Sequence, residues 1–253
     1  MSSKDNEQIY KDYPSATEKN MRGEALRLFR ESPIPDDELL SNLALFISRQ
    51  NLSRILFMHE LYLKALSVHG VVMEFGVRWG QNLALFQNFR GIYEPFNHNR
   101  KIIGFDTFSG FPSIHSKDGL SDIARVGAYK TSDKYEESLE AIMNYHESES
   151  PISHLKKFEI VKGNAVTELK SYLERNPQTI VAFAYFDFDL YEPTKECLAA
   201  IKPHLTKGSV IGFDELNSAD FPGETLALQE VFGLENIALY RSSLSPMQSY
   251  FVF

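Results

Sequence analysis

The chain has 253 residues, 34 acids against 26 lysines and arginines, and a formal net charge of −8. That balance disfavours a nucleic-acid backbone as the main partner, and the lone Cys197 rules out an intrachain disulfide framework or a thiolate zinc cluster. The polar start Met1-Ser-Ser-Lys-Asp-Asn-Glu lacks the apolar core of a signal peptide, and no apolar run approaches the ~20 residues of a membrane span, so a cytoplasmic location is expected.

Residues 1 to 35 are polar and punctuated by Pro14, Pro33 and Pro35, which reads as an arm rather than core. From Pro35 to Leu66 the pattern is helical: Leu39, Leu40, Leu43, Phe46 and Ile47 give one apolar face, and Ile55, Leu56, Met58, Leu61, Leu63 and Leu66 a second. Arm and helices, residues 1–66, are expected to act as a lid or as subunit contacts, with a catalytic domain over 67–253. A homo-oligomer is expected.

Strand-like and helical segments then alternate. Strands are predicted at 71–75, 101–106, 158–162, 180–187 and 208–213, with two short ones at 237–240 and 248–253. Helices are predicted near 82–86, 136–147, 165–175, 193–205 and 223–232. The 107–135 segment, rich in Gly, Ser and Asp, is long enough for a functional lid. Alternation of this kind predicts an α/β fold with a doubly wound, mostly parallel sheet. In such sheets ligands bind beyond the carboxyl ends of the strands.

Two of the apolar runs stop on acids. Ile180-Val-Ala-Phe-Ala-Tyr-Phe-Asp187-Phe-Asp189 is one, and Gly208-Ser-Val-Ile-Gly-Phe-Asp214-Glu215 is the other. Strands this apolar are buried on both faces. If the first continued extended, Asp187 and Asp189 would face the same way, roughly 7 Å apart at the rise of a strand. One could bind a cation while the other reaches a substrate hydroxyl, and Asp214 and Glu215 could close the cation's shell. Only oxygen donors are implied, so the cation would be hard, with Mg²⁺ first and Mn²⁺ or Ca²⁺ next.

Glu74-Phe-Gly76-Val-Arg-Trp-Gly80 lies between the first strand and its helix. The glycines permit a tight turn and close approach of backbone to a ligand, and the helix start offers free N–H groups. The dinucleotide pattern G-x-G-x-x-G is not matched, which disfavours NAD. An E-x-G-x-x-x-G turn followed by a strand ending in Asp106 points to S-adenosylmethionine, with Asp106 placed to bond ribose hydroxyls. Cys197 reads as a packing residue in a helix. His115, in the long loop, reads first as a solvated loop histidine and second as a substrate contact, and Trp79 either lines the cofactor pocket or packs beneath the turn.

Taken as a set, Glu74-Phe-Gly-Val-x-x-Gly80, Gly104-Phe-Asp106-Thr-Phe-Ser-Gly-Phe-Pro112, Gly163-Asn164-Ala, Asp187-Phe-Asp189-Leu-Tyr-Glu-Pro-Thr-Lys195 and Gly208–Glu215 resemble the macrocin O-methyltransferase (TylF-type) family. The likeness spans about residues 35–253. It implies a class I S-adenosylmethionine-dependent methyltransferase with a seven-stranded sheet whose last strand is antiparallel. It also implies Mg²⁺-dependent methylation of a small polar acceptor, often a sugar hydroxyl. Carried over by motif, Asp187, Asp214 and Glu215 would ligate the metal and Asp189 would be the general base. Glu74, Gly76, Gly80, Asp106, Ser109, Asn164 and Asp187 would border the cofactor. The chain departs from the family pattern at Arg78-Trp79, where Trp-Arg is usual, at Glu215, where Asp is frequent, and at Asn164. Alternatives are a phosphate, phosphoramidate or catechol oxygen as acceptor, or an NAD-linked oxidoreductase or epimerase on a similar sheet.

Overall fold

The computed structural model describes residues 16–245 and 247–253; residues 1–15 of the expected arm, Pro14 included, lie outside the described residues. The chain falls into two compact units, one through Ser53 and the other from Arg54 onward.

The first unit contains helix α1 (Ala16–Arg30), a single turn α2 (Asp36–Leu39), a 3-10 segment (Leu40–Phe46) and the start of α3 (Arg49–Ala65). Part of the supposed arm is therefore helical. Arg27 spaced three and four residues from Glu24 and Glu31 pairs with both, which supports an exposed helix. The expected helical face over 39–47 is mostly 3-10 rather than α. Pro35 enters extended, at ψ 148°. The Asn42 side chain then donates to the Glu38 carbonyl at 3.0 Å, competing for the acceptor a regular α-turn would use. Phe29 and Phe46 pack edge-on at 5.2 Å within this unit.

The second unit is built on a seven-stranded sheet of order β3-β2-β1-β4-β5-β7-β6. The strands are β1 (Val71–Phe75), β2 (Ile102–Asp106), β3 (Phe158–Lys162), β4 (Val181–Phe186), β5 (Leu205–Phe213), β6 (Leu239–Arg241) and β7 (Ser249–Val252). The first five pair parallel, and β7 runs antiparallel to both β5 and β6. The remaining helices are α4 (Gln81–Tyr93), α5 (Tyr135–Ser148), α6 (Ala165–Arg175), α7 (Tyr191–Ile201) and α8 (Gly223–Phe232).

Side-chain alternation sorts each strand between two helical layers. Met73 and Phe75 face a core with Leu169, Leu198 and Leu228 of α6, α7 and α8, while Val72, Phe183 and Tyr185 face Leu61, Leu83 and Leu139 of α3, α4 and α5. Strand order reverses between β1 and β4, the switch point at which an open α/β sheet forms a crevice. Just short of that edge, Phe105, Phe75, Phe186 and Phe213 lie in one register row, fully buried, with neighbouring rings 5.2, 4.6 and 5.5 Å apart. This row makes a dry floor at the carboxyl ends of the strands. No described helix is long and apolar enough to cross a membrane.

Candidate functional site

One step beyond the phenylalanines, the same register places Asp106, Gly76, Asp187 and Asp214 side by side. Backbone bonds continue the ladder there: Gly76 N–H donates to Phe105 O, Asp187 N–H to Phe75 O and Asp214 N–H to Phe186 O, at 3.0, 2.8 and 3.0 Å. The acids from three distant stretches of sequence are thus fixed by strand pairing alone. Gly76 sits at φ +93°, and a Cβ there would lie 2.1 Å from the Asp187 carbonyl oxygen, so the turn admits only glycine. Gly80 is also left-handed, but its close neighbour is Leu139 at 2.3 Å, a packing reason for the second glycine.

On the β1–β2 side the polar groups are held mainly by backbone. Asp106 accepts from Arg78 N–H at 2.7 Å and from Phe108 N–H at 2.6 Å. Burial raises its pKa and these bonds oppose the rise. Glu74 is almost wholly buried, and among the described residues its Oε2 has no hydrogen-bond partner. Burial pushes its pKa well up, against a stabilising bond from Asn82. An orphaned buried carboxyl oxygen beside a glycine turn fits a ligand that brings its own donors, as an amino-acid ammonium does. Ser109 is exposed in the loop after β2. Asn164 caps α6, its side-chain oxygen accepting from Val166 N–H at 3.0 Å. Trp79 is half-exposed, edge-on to Tyr135 at 4.7 Å.

The β4–β5 side is a crowd of carboxylates with a cation that the motifs do not reveal. Arg54 of α3 donates from Nη2 to Asp187 Oδ2 at 2.8 Å and from Nη1 to Asp214 Oδ1. Asp214 Oδ1 also accepts from Tyr185 Oη at 2.8 Å and Gln248 Nε2 at 3.0 Å. Burial opposes a charged Arg54, yet Tyr185, Asp214 and Asp187 raise its pKa above the ordinary value. Asp187 is raised to about 7, by burial first and by the charge of Asp214 next, with Arg54 pulling the other way. The sequence signal for Arg54 was available. It falls four residues before Met58, in line with the buried Leu61 and Ala65, and an arginine on an apolar helical stripe needs an acid partner.

Asp189 does not extend the strand. β4 ends at Phe186 and Asp189 adopts φ +61°, so the expected same-facing, extended pair with Asp187 is not formed. The cause is a tertiary contact: Phe188 N–H and Asp189 N–H both turn to Glu224 Oε1 of α8, at 3.0 and 3.3 Å, instead of continuing a ladder. The Asp189 carboxyl meets Glu215, and burial followed by that neighbour raises its pKa well above the ordinary range. Burial likewise raises Glu215, while its bond to Asp189 lowers it.

Asp187, Asp214 and Glu215 are therefore neighbours, but among the described residues no three acids, histidines or cysteines are already gathered as a metal's ligand set. The donor chemistry fits a hard cation, since all candidates are oxygens and Asp187 and Asp214 share one guanidinium. The spacing is that of a bridged pair of carboxylates.

The 107–134 loop has a small core of its own, in which Phe111, Leu190 and Phe221 meet Ile114, Ile123 and Tyr129. Asp118, buried within it, accepts from Tyr191 N–H and His115 N–H, each at 2.6 Å. His115 packs tilted against Tyr191 at 4.9 Å, and its Nδ1 accepts from Lys117 N–H. It is thus a packing residue of the loop. Cys197 is buried and free in α7, as the packing reading requires.

No family model matches the chain, and no curated protein matches it. Solved structures do. CalS11, a calicheamicin methyltransferase, is 40% identical with a TM-score of 0.93, over 95% of this chain and 94% of its own. An apo structure of CalS11, described as a TDP-rhamnose 3'-O-methyltransferase, superposes at 0.84 with 38% identity over 95% and 96%. The O-methyltransferase NovP shares the fold at 0.59, with 16% identity over 79% of each chain. Identity at this level over nearly the whole of both chains decides against an NAD-linked enzyme on a similar sheet. With its seven-stranded sheet, glycine turn and row of acids, the chain belongs to the S-adenosylmethionine-dependent O-methyltransferase family that contains CalS11.

Proposed function

We propose that this enzyme, as a methyltransferase of the macrocin type, methylates a hydroxyl of a sugar or sugar-containing metabolite in the cytoplasm. The observation that carries the reading is the meeting of Asp187, Asp189, Asp214 and Glu215 at two adjoining strand ends, directly beside the glycine turn. The acceptor class is supported by the likeness to the TDP-rhamnose enzyme.

The methyl donor would lie over Gly76 and Gly80, with Glu74, Asp106, Ser109, Asn164 and the start of Asp187 around it. It supplies an electrophilic methyl on a sulfonium. A hard divalent cation, Mg²⁺ before Mn²⁺, held by Asp187, Asp214 and Glu215, would supply Lewis-acid lowering of the acceptor hydroxyl's pKa. The chain's own residues do the rest. Asp189, whose carboxyl is destabilised as an anion by burial, is a strong base once its proton is lost, and it takes the hydroxyl proton. Tyr185 and Gln248 orient Asp214, and Arg54 keeps Asp187 and Asp214 compensated. The phenylalanine floor excludes water from below, and alignment of acceptor and methyl supplies much of the rate. A homo-oligomer is supported by β6, an edge strand on which Leu239 and Tyr240 are exposed.

The test is methyl transfer from S-adenosylmethionine to TDP-rhamnose and a panel of sugar nucleotides and glycosides, with Mg²⁺ and with chelator. Transfer that needs Mg²⁺ is expected. Undiminished transfer in chelator removes the metal from the reading, and transfer only to catechols or phosphates removes the sugar.

A further inference from the structure

We infer that Glu224 is a positioning residue for Asp189: its buried carboxyl serves as a backbone clamp that sets the pose of the base. The inference rests on the role proposed above for Asp189, and it concerns a residue in none of the motifs.

Asp189 is a non-glycine residue at φ +61° in a segment that has just left β4. Such a conformation is strained for a residue with a side chain and persists only where its surroundings over-determine it. Here they do. Glu224 Oε1 accepts from Phe188 N–H at 3.0 Å and Asp189 N–H at 3.3 Å, so one oxygen satisfies two successive donors freed by the end of the strand. Asp187 N–H is held by Phe75 O on one side and Tyr191 N–H by Asp118 Oδ1 on the other. Glu224 thus supplies the middle support of a turn whose two ends are fixed independently.

Two further facts distinguish this from ordinary helix stabilisation. Glu224 is fully buried, and among the described residues no cation is bonded to it and its Oε2 has no hydrogen-bond partner. Burying a carboxyl in this way is costly, and an apolar side chain would pack the same space at less cost. In addition, Gly223 lets the start of α8 come so close that a Cβ there would lie 2.5 Å from Tyr191 N. The helix is drawn against the base-bearing turn, and the acid is its contact. Only the accepting oxygen matters to the clamp, so glutamine should serve and alanine should not.

The experiment uses the full chain in three forms: wild type, Glu224→Ala and Glu224→Gln. Hydrogen exchange by mass spectrometry needs no acceptor. For the peptide covering 186–191, exchange is expected to quicken at least about tenfold in Glu224→Ala and to stay within about threefold of wild type in Glu224→Gln, while peptides from β1 and β5 are unchanged. With TDP-rhamnose as acceptor, kcat should fall about 10- to 100-fold in Glu224→Ala with KM for S-adenosylmethionine little changed, and Glu224→Gln should recover most of it. The inference is overturned if alanine leaves the 186–191 exchange at the wild-type rate, or if glutamine loosens it as much as alanine does. It is also overturned if exchange loosens while kcat holds. A wild type inactive on every acceptor would strike the proposed function instead, and the exchange arm would still decide this inference.

Discussion

At the ends of β1 and β2 the chain presents backbone and glycine, whereas at the ends of β4 and β5 it presents charge. The first half is compact in sequence: Asp106 is satisfied by the amides of Arg78 and Phe108, 28 and 2 positions away. The second half is assembled from far apart. Arg54 reaches Asp187 across 133 positions and Asp214 across 160, and Glu224 supports the Asp189 turn from α8. A site that binds a large, constant cofactor can be rigid and local. A site that must hold several carboxylates and move a proton needs compensating groups brought in by tertiary structure.

Each half can be broken separately. The largest effect is expected from Gly76→Ala, which puts a Cβ 2.1 Å from a backbone oxygen at a φ that side chains rarely adopt. Loss of soluble protein or of all S-adenosylmethionine binding should follow, read by expression and calorimetric titration. Near-normal binding would mean the turn is looser than its geometry.

Next is Arg54→Met, which strips the guanidinium from two acids. Breaking a well-buried ion pair costs ~3–5 kcal/mol; with a quarter of the Arg54 side chain exposed, about 2 kcal/mol is expected here, seen as a lower Tm without metal. If the acids hold a cation, Mg²⁺ should raise the Tm of this variant more than that of wild type. Equal shifts in both would mean that the acids and Arg54 do not share a cation's place.

The smallest effect belongs to Asn164→Ala. Removing the α6 cap should cost about 1 kcal/mol. Its oxygen already accepts from Val166, so S-adenosylmethionine affinity should weaken only a few-fold by titration. A collapse of affinity would place Asn164 at the heart of the cofactor half.

The sequence was most legible where structure is local. The unbroken apolar runs mark buried parallel strands, and the acids on which two of them stop, Asp187 and Asp214, could be expected at neighbouring strand ends. What failed was continuity past that row. Nothing in Asp187-Phe-Asp189 shows that the strand stops at Phe186, because the cause, Glu224, lies 35 residues on. Arg54 was hidden for the same reason, although its place on the buried stripe of α3 was a usable clue. The 39–47 segment misled differently, since a helical spacing of leucines does not reveal that Asn42 will take the Glu38 carbonyl.

The division of labour between the halves is tested most directly by Asp189→Asn, assayed in parallel for S-adenosylmethionine affinity by calorimetry and for kcat in methyl transfer. Affinity within about threefold of wild type with kcat reduced about 100-fold or more is expected, because the substitution removes the proposed base and leaves the glycine turn intact. A variant that binds the donor normally and keeps full kcat would contradict the assignment of Asp189 as the base.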